Sequence, residues 1–214
     1  MKKIVSLALI LALICSVFLV SCKEEVKYDE AEIRAALNEL LPKSFELNVA
    51  YFGEGLPISD DRELIEKFYS SFDSDIEQIN YHPVSADCPY QTEADLREAT
   101  LAVFTENYSE YLFQRAFAGI SGQLQNIEGE MITHNAMYAM YIEMNGVLTV
   151  RLDLADEAIP LGREYRVDEM VIKNQKNGVV EIEMPTYING GLDLYVEVRL
   201  VKTENGWRLD SPTY

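Results

Sequence analysis

Apolar residues recur at helical spacing in the first half of the chain. From Asp29 onward they fall three and four positions apart, which places them on one face of an amphipathic helix: Ile33, Leu37, Leu40, Leu41 and Phe45. Asp29 and Glu32 have the spacing of a capping box. Pro42 interrupts the pattern, and we expect it to start a second helical segment that ends near Gly53.

Two more helices are predicted by their caps and a third by its apolar content. Asp60 with Glu63, and Thr92 with Asp95, have capping-box spacing in front of apolar runs. The third helix spans 106–118 and is apolar around most of its circumference, so we expect it to be buried centrally. The chain before residue 120 is therefore expected to form about four helices.

The period of the pattern changes from helical to alternating after about residue 136. Apolar and polar residues alternate over 148–154, 165–168, 180–184 and 192–200, and a short fifth run begins at Trp207. Asn-Gly pairs, the strongest short signal for a β-hairpin, lie between such runs: Asn145-Gly146, Asn177-Gly178, Asn189-Gly190 and Asn205-Gly206. The pattern predicts an antiparallel meander of five to six strands.

Helices followed by an antiparallel meander define the α+β class. We expect one domain over 29–214, with a helical part at 29–120 and a sheet part at 136–214. Its core should contain the inward-facing apolar residues of both parts: Ile33, Leu37, Leu40, Phe45, Leu64, Leu96, Val103, Leu112, Phe113, Phe117, Leu148, Val150, Leu152, Val180, Ile182, Leu194, Val196, Val198 and Trp207.

The N-terminus has the pattern of a bacterial export signal. A positive start, Met1-Lys2-Lys3, precedes an uncharged, mostly apolar run from Ile4 to Val20. Leu19-Val20-Ser21-Cys22 then resembles the lipoprotein box, in which a cysteine is diacylated and becomes residue one. The pattern predicts a signal peptide over 1–21, lipidation of Cys22 and a tether over 22–28. The alternative is an uncleaved membrane anchor, although the run is shorter than the ~20 residues that a span needs.

The charge balance argues against two classes of partner. The 214 residues include 36 acidic and 18 basic side chains, which give a formal net charge of −18 at pH 7. Such a chain repels phosphate, so we expect no nucleic acid partner, and it lacks the polybasic patch of a membrane-surface binder. We expect the protein to reach the membrane through the lipid on Cys22, since two or three acyl chains suffice for stable anchoring.

Histidine and cysteine offer little catalytic chemistry. The chain has two histidines and three cysteines. Cys15 would leave with the signal and Cys22 would be lipidated, so Cys88 has no cysteine left for a disulfide. His82 lies near Cys88 in sequence, but no third orienting group is indicated for a Cys–His nucleophile. We regard a partly exposed loop histidine and an incidental cysteine as the better interpretation.

Acidic residues also lack a specific signature. Asp73-Ser-Asp75-Ile-Glu77 starts like a calcium-binding EF-hand loop, but Gln78 stands in place of the required glycine and Val84 in place of the closing glutamate. No pair of carboxylates is marked by its spacing for glycoside hydrolysis. We therefore expect a non-catalytic protein with no cofactor and no metal. The alternative enzyme class is a carboxylate-based cell-wall hydrolase.

Candidate residues for partner contacts come from loops. Residues 73–91 show neither helical nor alternating spacing of apolar residues, which is typical of a long surface loop. Tyr187 and Tyr195 fall on the polar face of predicted strands and are further candidates. The acidic and aromatic residues of the loop, together with two acids in a long connection, form the candidate set: Asp73, Asp75, Tyr81, Asp87, Tyr90, Asp156 and Glu157.

Short stretches resemble two known families. Tyr81-His-Pro-Val-Ser, Tyr90-Gln-Thr-Glu and Val103-Phe-Thr, with the order of elements, are similar to the middle of IseA-type D,L-endopeptidase inhibitors, secreted Firmicute proteins that block cell-wall hydrolases. That resemblance implies a helical lobe before a partly closed antiparallel sheet, with an acidic surface that serves inhibition. The ending Gly206-Trp-Arg-Leu is similar to the last strand of NTF2-like domains, small α+β modules with a pocket between helix and sheet.

Together these observations favour a non-catalytic extracytoplasmic lipoprotein that acts as a binding module at the cell envelope. The most specific version of this interpretation is an IseA-like inhibitor whose negative charge attracts a basic cell-wall hydrolase or another envelope protein. A second interpretation is that the acidity only keeps a tethered domain soluble. A third is an NTF2-like protein that binds a small molecule or peptide between the fourth helix and the sheet.

Overall fold

Helices occupy the first half of the chain, as the apolar spacing predicts. The computed structural model describes residues 27–71, 80–118, 120–125, 131–154 and 162–213. Within those ranges it contains four α-helices, numbered α1 to α4: Glu30–Phe52, Arg62–Ser70, Glu93–Val103 and Glu106–Phe113. A π-helical turn at Gln114–Ala118 continues α4, so the last predicted helix changes its geometry before it ends.

The helices begin at side-chain caps. The Asp29 carboxylate accepts a hydrogen bond from the backbone N–H of Ala31. The complete capping box that was predicted at Thr92 and Asp95 is present at the start of α3. The cap of α2 is Asp61 rather than Asp60, so that prediction was wrong by one residue. Each cap provides an acceptor for an N–H group that has no partner inside its helix.

Pro42 does not divide the first helix. The prediction of two segments is wrong, because α1 runs through Pro42 without a break. Proline removes the hydrogen bond that its N–H would donate to the carbonyl of Asn38. The buried face of α1 continues on both sides of Pro42, from Leu41 to Leu47, and this burial holds the helix together across the missing bond.

Ten strands lie in the described part of the chain, all paired antiparallel. β9 is the longest of them. In chain order, β1 to β10 are Tyr81–Pro83, Ile120–Gln125, Met131–Tyr138, Tyr141–Met144, Val147–Arg151, Glu164–Tyr165, Val171–Lys176, Val179–Ile188, Gly191–Thr203 and Gly206–Leu209.

The strands form three sheets instead of one meander. The largest has the order β10-β9-β8-β6, and β7 pairs with the other half of β8. A second sheet has the order β1-β5-β4, and β2 pairs with β3 alone. The α+β class with helices first is therefore confirmed, whereas the single sheet of five to six strands is wrong.

β1 also joins the two halves of the chain. Tyr81 pairs with Arg151, and Pro83 pairs with Thr149. The segment predicted to be a loop inside the helical part thus supplies an edge strand to the sheet part. A three-residue strand is too short for a visible period, which is why the alternation of residue types did not indicate it. The helical and sheet parts form one shared core.

The predicted hairpin turns are confirmed. Asn145, Asn177 and Asn189 have φ of 53°, 52° and 52°, and each is followed by a glycine with positive φ. Both central residues of a type I′ turn need this conformation, which asparagine and glycine adopt most readily. The β9–β10 turn differs, since Gly206 at φ 101° follows a loop of Glu204 and Asn205.

Most of the predicted core is buried between the helices and the sheets. Phe45, Leu64 and Phe117 are half-buried instead. Two predictions are wrong, since Leu152 is 37% exposed and Leu194 is 40% exposed. β5 ends before Leu152, which lies in a 3₁₀ turn where strand alternation no longer applies. Leu194 lies at a register shift in β9 described below.

Candidate interaction surface

Several predicted site residues lie outside the described residues. The lipidation site Cys22 is one of them. The others are four acidic residues of the predicted loop and of the long connection: Asp73, Asp75, Asp156 and Glu157. Three residues of the candidate set can therefore be located in the structure: Tyr81, Asp87 and Tyr90.

Tyr81 is a core residue rather than a surface contact. It is 6% exposed, and its hydroxyl donates a hydrogen bond to the backbone oxygen of Ala139 at 2.7 Å. The Arg151 guanidinium lies 5.6 Å from its ring centre and forms an ion pair with Asp153. Tyr81 thus fastens β1 to the segment before β4, and a partner cannot reach its ring unless β1 opens.

Asp87 lies within a short turn, and Tyr90 follows that turn. Asp87 is exposed, and its N–H donates to the Ser85 hydroxyl. Tyr90 is half-buried against the core. Burial raises the pKa of its hydroxyl, with a further contribution from the Glu46 carboxylate. Asp87 is therefore available to a partner from this turn, while Tyr90 can offer only part of its ring.

His82 and Cys88 do not have the features of a nucleophile pair. Nδ1 of His82 lies 3.1 Å from the hydroxyl of Tyr69, which also donates to the backbone oxygen of Tyr81. Cys88 is buried, and this burial raises the pKa of its thiol. A raised pKa keeps the thiol protonated at neutral pH, whereas nucleophilic cysteines need a lowered one.

A more prominent candidate lies at the end of the β8–β9 hairpin. Here the register shifts, so that Pro185 faces Tyr195 but Tyr187 faces Leu192. β9 thus contains one more residue than β8 over this stretch, which is a β-bulge. Because directly paired residues share a face, the bulge brings these four side chains onto one side of the sheet. We call these four residues the hairpin surface.

Two of the four residues of the hairpin surface are open to solvent, whereas Tyr187 is half-buried and Pro185 is buried. Tyr195 is 61% exposed and Leu192 is 54% exposed. Single exposed apolar residues are common, but adjacent ones at a strand end are typical of interaction sites. Tyrosine is also among the residues that contribute most to binding energy in protein interfaces. This surface therefore has the composition of a contact site.

One edge of the hairpin surface is held rigid by β6. Glu164 pairs with Tyr187 in the sheet register. The guanidinium of Arg166 lies 5.1 Å from the ring centre of Tyr187 and forms an ion pair with Glu164 at 3.3 Å. A cation over the ring face is attracted to it, so Tyr187 is presented in a fixed position.

The other edge of the surface carries excess negative charge. Glu183 and Glu197 pair directly across β8 and β9. Glu183 is neutralised by Lys173 at 3.0 Å, while Glu197 forms no ion pair within the described part of the chain. Glu197 therefore contributes a negative charge to this edge that no ion pair of the described residues neutralises, and a cation from a partner could pair with it.

The sequence indicated part of this surface. Tyr187 and Tyr195 were expected on the outer face, and the exposure of Tyr195 confirms its position. Simple alternation with Val196 predicts Leu192 on the inner face. The bulge interrupts this alternation and places Leu192 on the same face as Tyr195. The opposition of Glu183 and Glu197 depends on strand register, which one strand's sequence does not contain.

An open cleft of about 560 Å³ lies between α1 and β6. Its apolar walls include Leu41, Phe45 and Tyr165, and Glu46 and Glu164 also line it. This position differs from the pocket between the fourth helix and the sheet that an NTF2-like fold would imply. Its volume is within the range of small-molecule sites.

The ranges that the structure describes contain neither a metal-binding group of side chains nor a helix that could cross a membrane. There, no three histidine, cysteine or acidic side chains are grouped closely enough to hold a metal ion. None of the helices in the same ranges combines the length and the apolar content that crossing a membrane requires. Comparison with known proteins adds no assignment, since neither a family model nor a curated protein matches the chain.

Proposed function

We propose that the protein is a non-catalytic, lipid-anchored binding module at the outer face of a bacterial cytoplasmic membrane. Its partner is a basic protein of the cell envelope, and the sharpest form of the proposal is inhibition of a cell-wall D,L-endopeptidase. The observation that carries it is the hairpin surface, where exposed Tyr195 and Leu192 lie beside Glu197.

The hairpin surface supports binding because it offers both an apolar area to bury and a negative charge to pair. Burying Tyr195 and Leu192 against a partner removes apolar area from water, at about 25 cal/mol per Å². A lysine or arginine of the partner beside Glu197 would form an ion pair with its carboxylate. The two contributions together favour a partner with an apolar depression next to a basic residue.

The charge of the whole chain acts at longer range. A net charge of −18 creates a field that attracts a basic partner and raises its association rate. Such steering weakens with ionic strength, because the Debye length is about 8 Å at physiological salt. Tethering by Cys22 would hold this field beside the cell wall, where hydrolases act.

The anchoring can be tested by replacing Cys22. We expect Cys22→Ala to release the protein from the membrane fraction, because the acyl chains would no longer attach. Cys15→Ala is the matched control and should leave the protein membrane-bound. Mass spectrometry of the N-terminal peptide checks the modification directly. Unmodified Cys22 in the membrane-bound wild type would contradict the proposal.

Inhibition is tested with a purified cell-wall D,L-endopeptidase and a peptidoglycan suspension, whose turbidity reports hydrolysis. We expect the wild type to slow the fall in turbidity, and high salt to weaken inhibition. Glu197→Lys should raise the inhibition constant about tenfold, since it places a like charge against a basic partner. Glu204→Lys, an equal charge change in the exposed β9–β10 turn, should have little effect.

Two outcomes of this assay would overturn the proposal. The first is equal inhibition by the Glu197 and Glu204 variants, which would leave the hairpin surface without a role. The second is release of peptidoglycan fragments by the protein alone, abolished by one Asp or Glu substitution, which would make it a hydrolase.

The cleft between α1 and β6 favours a second candidate function, binding of a small molecule or peptide. A ligand in this cleft would raise the melting temperature, and the increase would grow with the logarithm of its concentration relative to its dissociation constant. It would do so equally in the wild type and in Glu197→Lys, which separates this function from the first.

A further inference from the structure

β9 has an open side next to the hairpin surface. β8 pairs with β9 from Gly191 to Val201, but β10 pairs only with Leu200–Thr203 on the other side. In the part of the chain that the structure describes, no strand pairs with that other side between Gly191 and Val198. We call this side of Gly191–Val198 the open edge.

The hydrogen bond of Pro185 shows which backbone groups of β9 point toward the open edge. The N–H of Arg166 donates to the carbonyl of Pro185 at 3.0 Å, so this carbonyl, the only backbone hydrogen-bonding group of a proline, faces β6. The pair of Pro185 with Tyr195 is therefore one without mutual hydrogen bonds. It follows that the N–H and C=O of Tyr195 point away from β8, into the open edge.

The same alternation applies along β9. Glu197 and Arg199 lie two and four residues beyond Tyr195, so their backbone groups point the same way. At Arg199 the structure agrees, since its N–H donates to the Ser211 hydroxyl and its C=O accepts from the N–H of Asp210. The segment at Asp210 and Ser211 thus forms hydrogen bonds with both backbone groups of Arg199. The next two outward-pointing residues along the edge are Glu197 and Tyr195.

The open edge lacks several of the usual protections against strand addition. Natural edge strands are blunted by charged side chains, above all lysine, by proline or bulges, or are covered by another element. Gly191–Val198 contains neither lysine nor proline, and the bulge protects only the end near Leu192. The side chains of Tyr195 and Glu197 are exposed and stand beside the unpaired backbone groups.

We propose that the partner adds a β-strand to β9 along Tyr195 and Glu197, with a lysine or arginine side chain beside Glu197. The proposal rests on the function proposed above, since it describes how the same surface holds its partner. Main-chain hydrogen bonds supply affinity in this mode, and alternate side chains supply specificity. A second copy of the chain is a poor occupant, because a net charge of −18 on each copy opposes pairing.

The test uses the full chain in detergent and a short fluorescent peptide of alternating valine and lysine. Tyr195→Ala and Tyr195→Pro both remove the ring, but only proline removes the N–H and blocks approach of a strand. Proline is tolerated on an edge strand where its N–H would face solvent, so β8–β9 pairing is kept. We expect Tyr195→Pro to weaken peptide binding at least about tenfold more than Tyr195→Ala.

A second measurement keeps the test decisive if Tyr195→Pro fails to fold, which circular dichroism melting would reveal. The same peptide N-methylated at every amide keeps its charge and side chains but donates no hydrogen bond. We expect the wild type to bind it at least about tenfold more weakly than the unmodified peptide. Equal binding of both peptides, or equal binding by folded Tyr195→Ala and Tyr195→Pro, overturns strand addition.

The outcomes separate this proposal from the function on which it rests. Equal inhibition of the hydrolase by Tyr195→Ala and Tyr195→Pro would overturn strand addition and leave the inhibitor function standing. Selective peptide binding without any inhibition would do the reverse. A dimer of the wild type in sedimentation that Tyr195→Pro converts to a monomer would show that a second copy occupies the edge, and would also overturn the proposal.

Discussion

Replacing Tyr141 with alanine is expected to lower the free energy of unfolding by about 3–5 kcal/mol, the range for large buried aromatic residues. Tyr141 begins β4 and is fully buried. Its hydroxyl donates to the backbone oxygen of Ala50 at 2.5 Å and accepts from the N–H of Leu56 at 3.0 Å. The side chain therefore joins the end of α1, the following loop and the sheet, and its loss affects all three.

Tyr141→Phe separates the hydroxyl from the ring. It leaves the Ala50 carbonyl and the Leu56 N–H without this partner in a buried site, at a cost of about 1–3 kcal/mol. Burial raises the pKa of the Tyr141 hydroxyl, so it remains a donor well into the alkaline range.

Urea unfolding followed by circular dichroism measures both Tyr141 variants. Tyr111→Ala is the matched control, because this ring on α4 is mostly exposed and should cost far less. The assignment of Tyr141 as the joint between helix and sheet is wrong if its alanine variant costs no more than the Tyr111 control.

The elements that depend on neighbouring residues could be predicted from the sequence. The Thr92–Asp95 box requires an acceptor and a carboxylate three residues apart, and nothing distant can supply it. The turn at Asn189-Gly190 requires positive φ at both positions, a demand that few residue types meet. These signals gave the helix starts, the hairpins and therefore the α+β class.

The elements that depend on distant contacts could not be predicted in the same way. Pro42 argues for a helix break locally, but burial along the whole of α1 outweighs the lost hydrogen bond. β1 exists because β5 offers a paired edge to Tyr81–Pro83, and its own sequence shows no period. In both cases the stabilising free energy comes from parts of the chain that are far away in sequence.

The candidate site shows the same division. An aromatic residue on a polar strand face identified Tyr195, since that observation needs only one strand. Leu192 and the Glu183–Glu197 pair need the register of two strands, and one extra residue in β9 changes which side chains meet. The direction of the Tyr195 backbone groups additionally needs the Arg166–Pro185 hydrogen bond from β6.

Trp207→Ala is the second substitution with a large expected effect, also about 3–5 kcal/mol. Trp207 is the only tryptophan of the chain and is buried in the core. Its Nε1–H donates to the Glu32 carboxylate at 2.9 Å, and the Lys202 ammonium lies 4.8 Å from its ring centre. The ring of Tyr28 packs edge-on at 4.7 Å. One side chain thus connects the start of α1 to β9 and β10.

Acid should weaken this connection. Hydrogen bonds from Lys202 and then Trp207 lower the pKa of Glu32 below its ordinary value. The stability that this carboxylate contributes is therefore fully present above its unfolded-state pKa, and is lost as the pH falls through the lower folded-state value. Glu32→Gln should flatten the acid part of the stability profile and leave neutral stability less affected than Trp207→Ala does.

Urea unfolding curves recorded between neutral and acidic pH test this expectation. Circular dichroism is used as the signal, so that the tryptophan variant is measured on the same scale as the others. Glu39→Gln is the matched control, because Glu39 lies on the same helix and its pKa is also lowered, but by Lys43 on α1 itself. That pair lies within one helix, so its loss should not loosen the contact between α1 and the sheet. An acid profile of Glu32→Gln as steep as that of the wild type would show that the Glu32 carboxylate does not stabilise this connection.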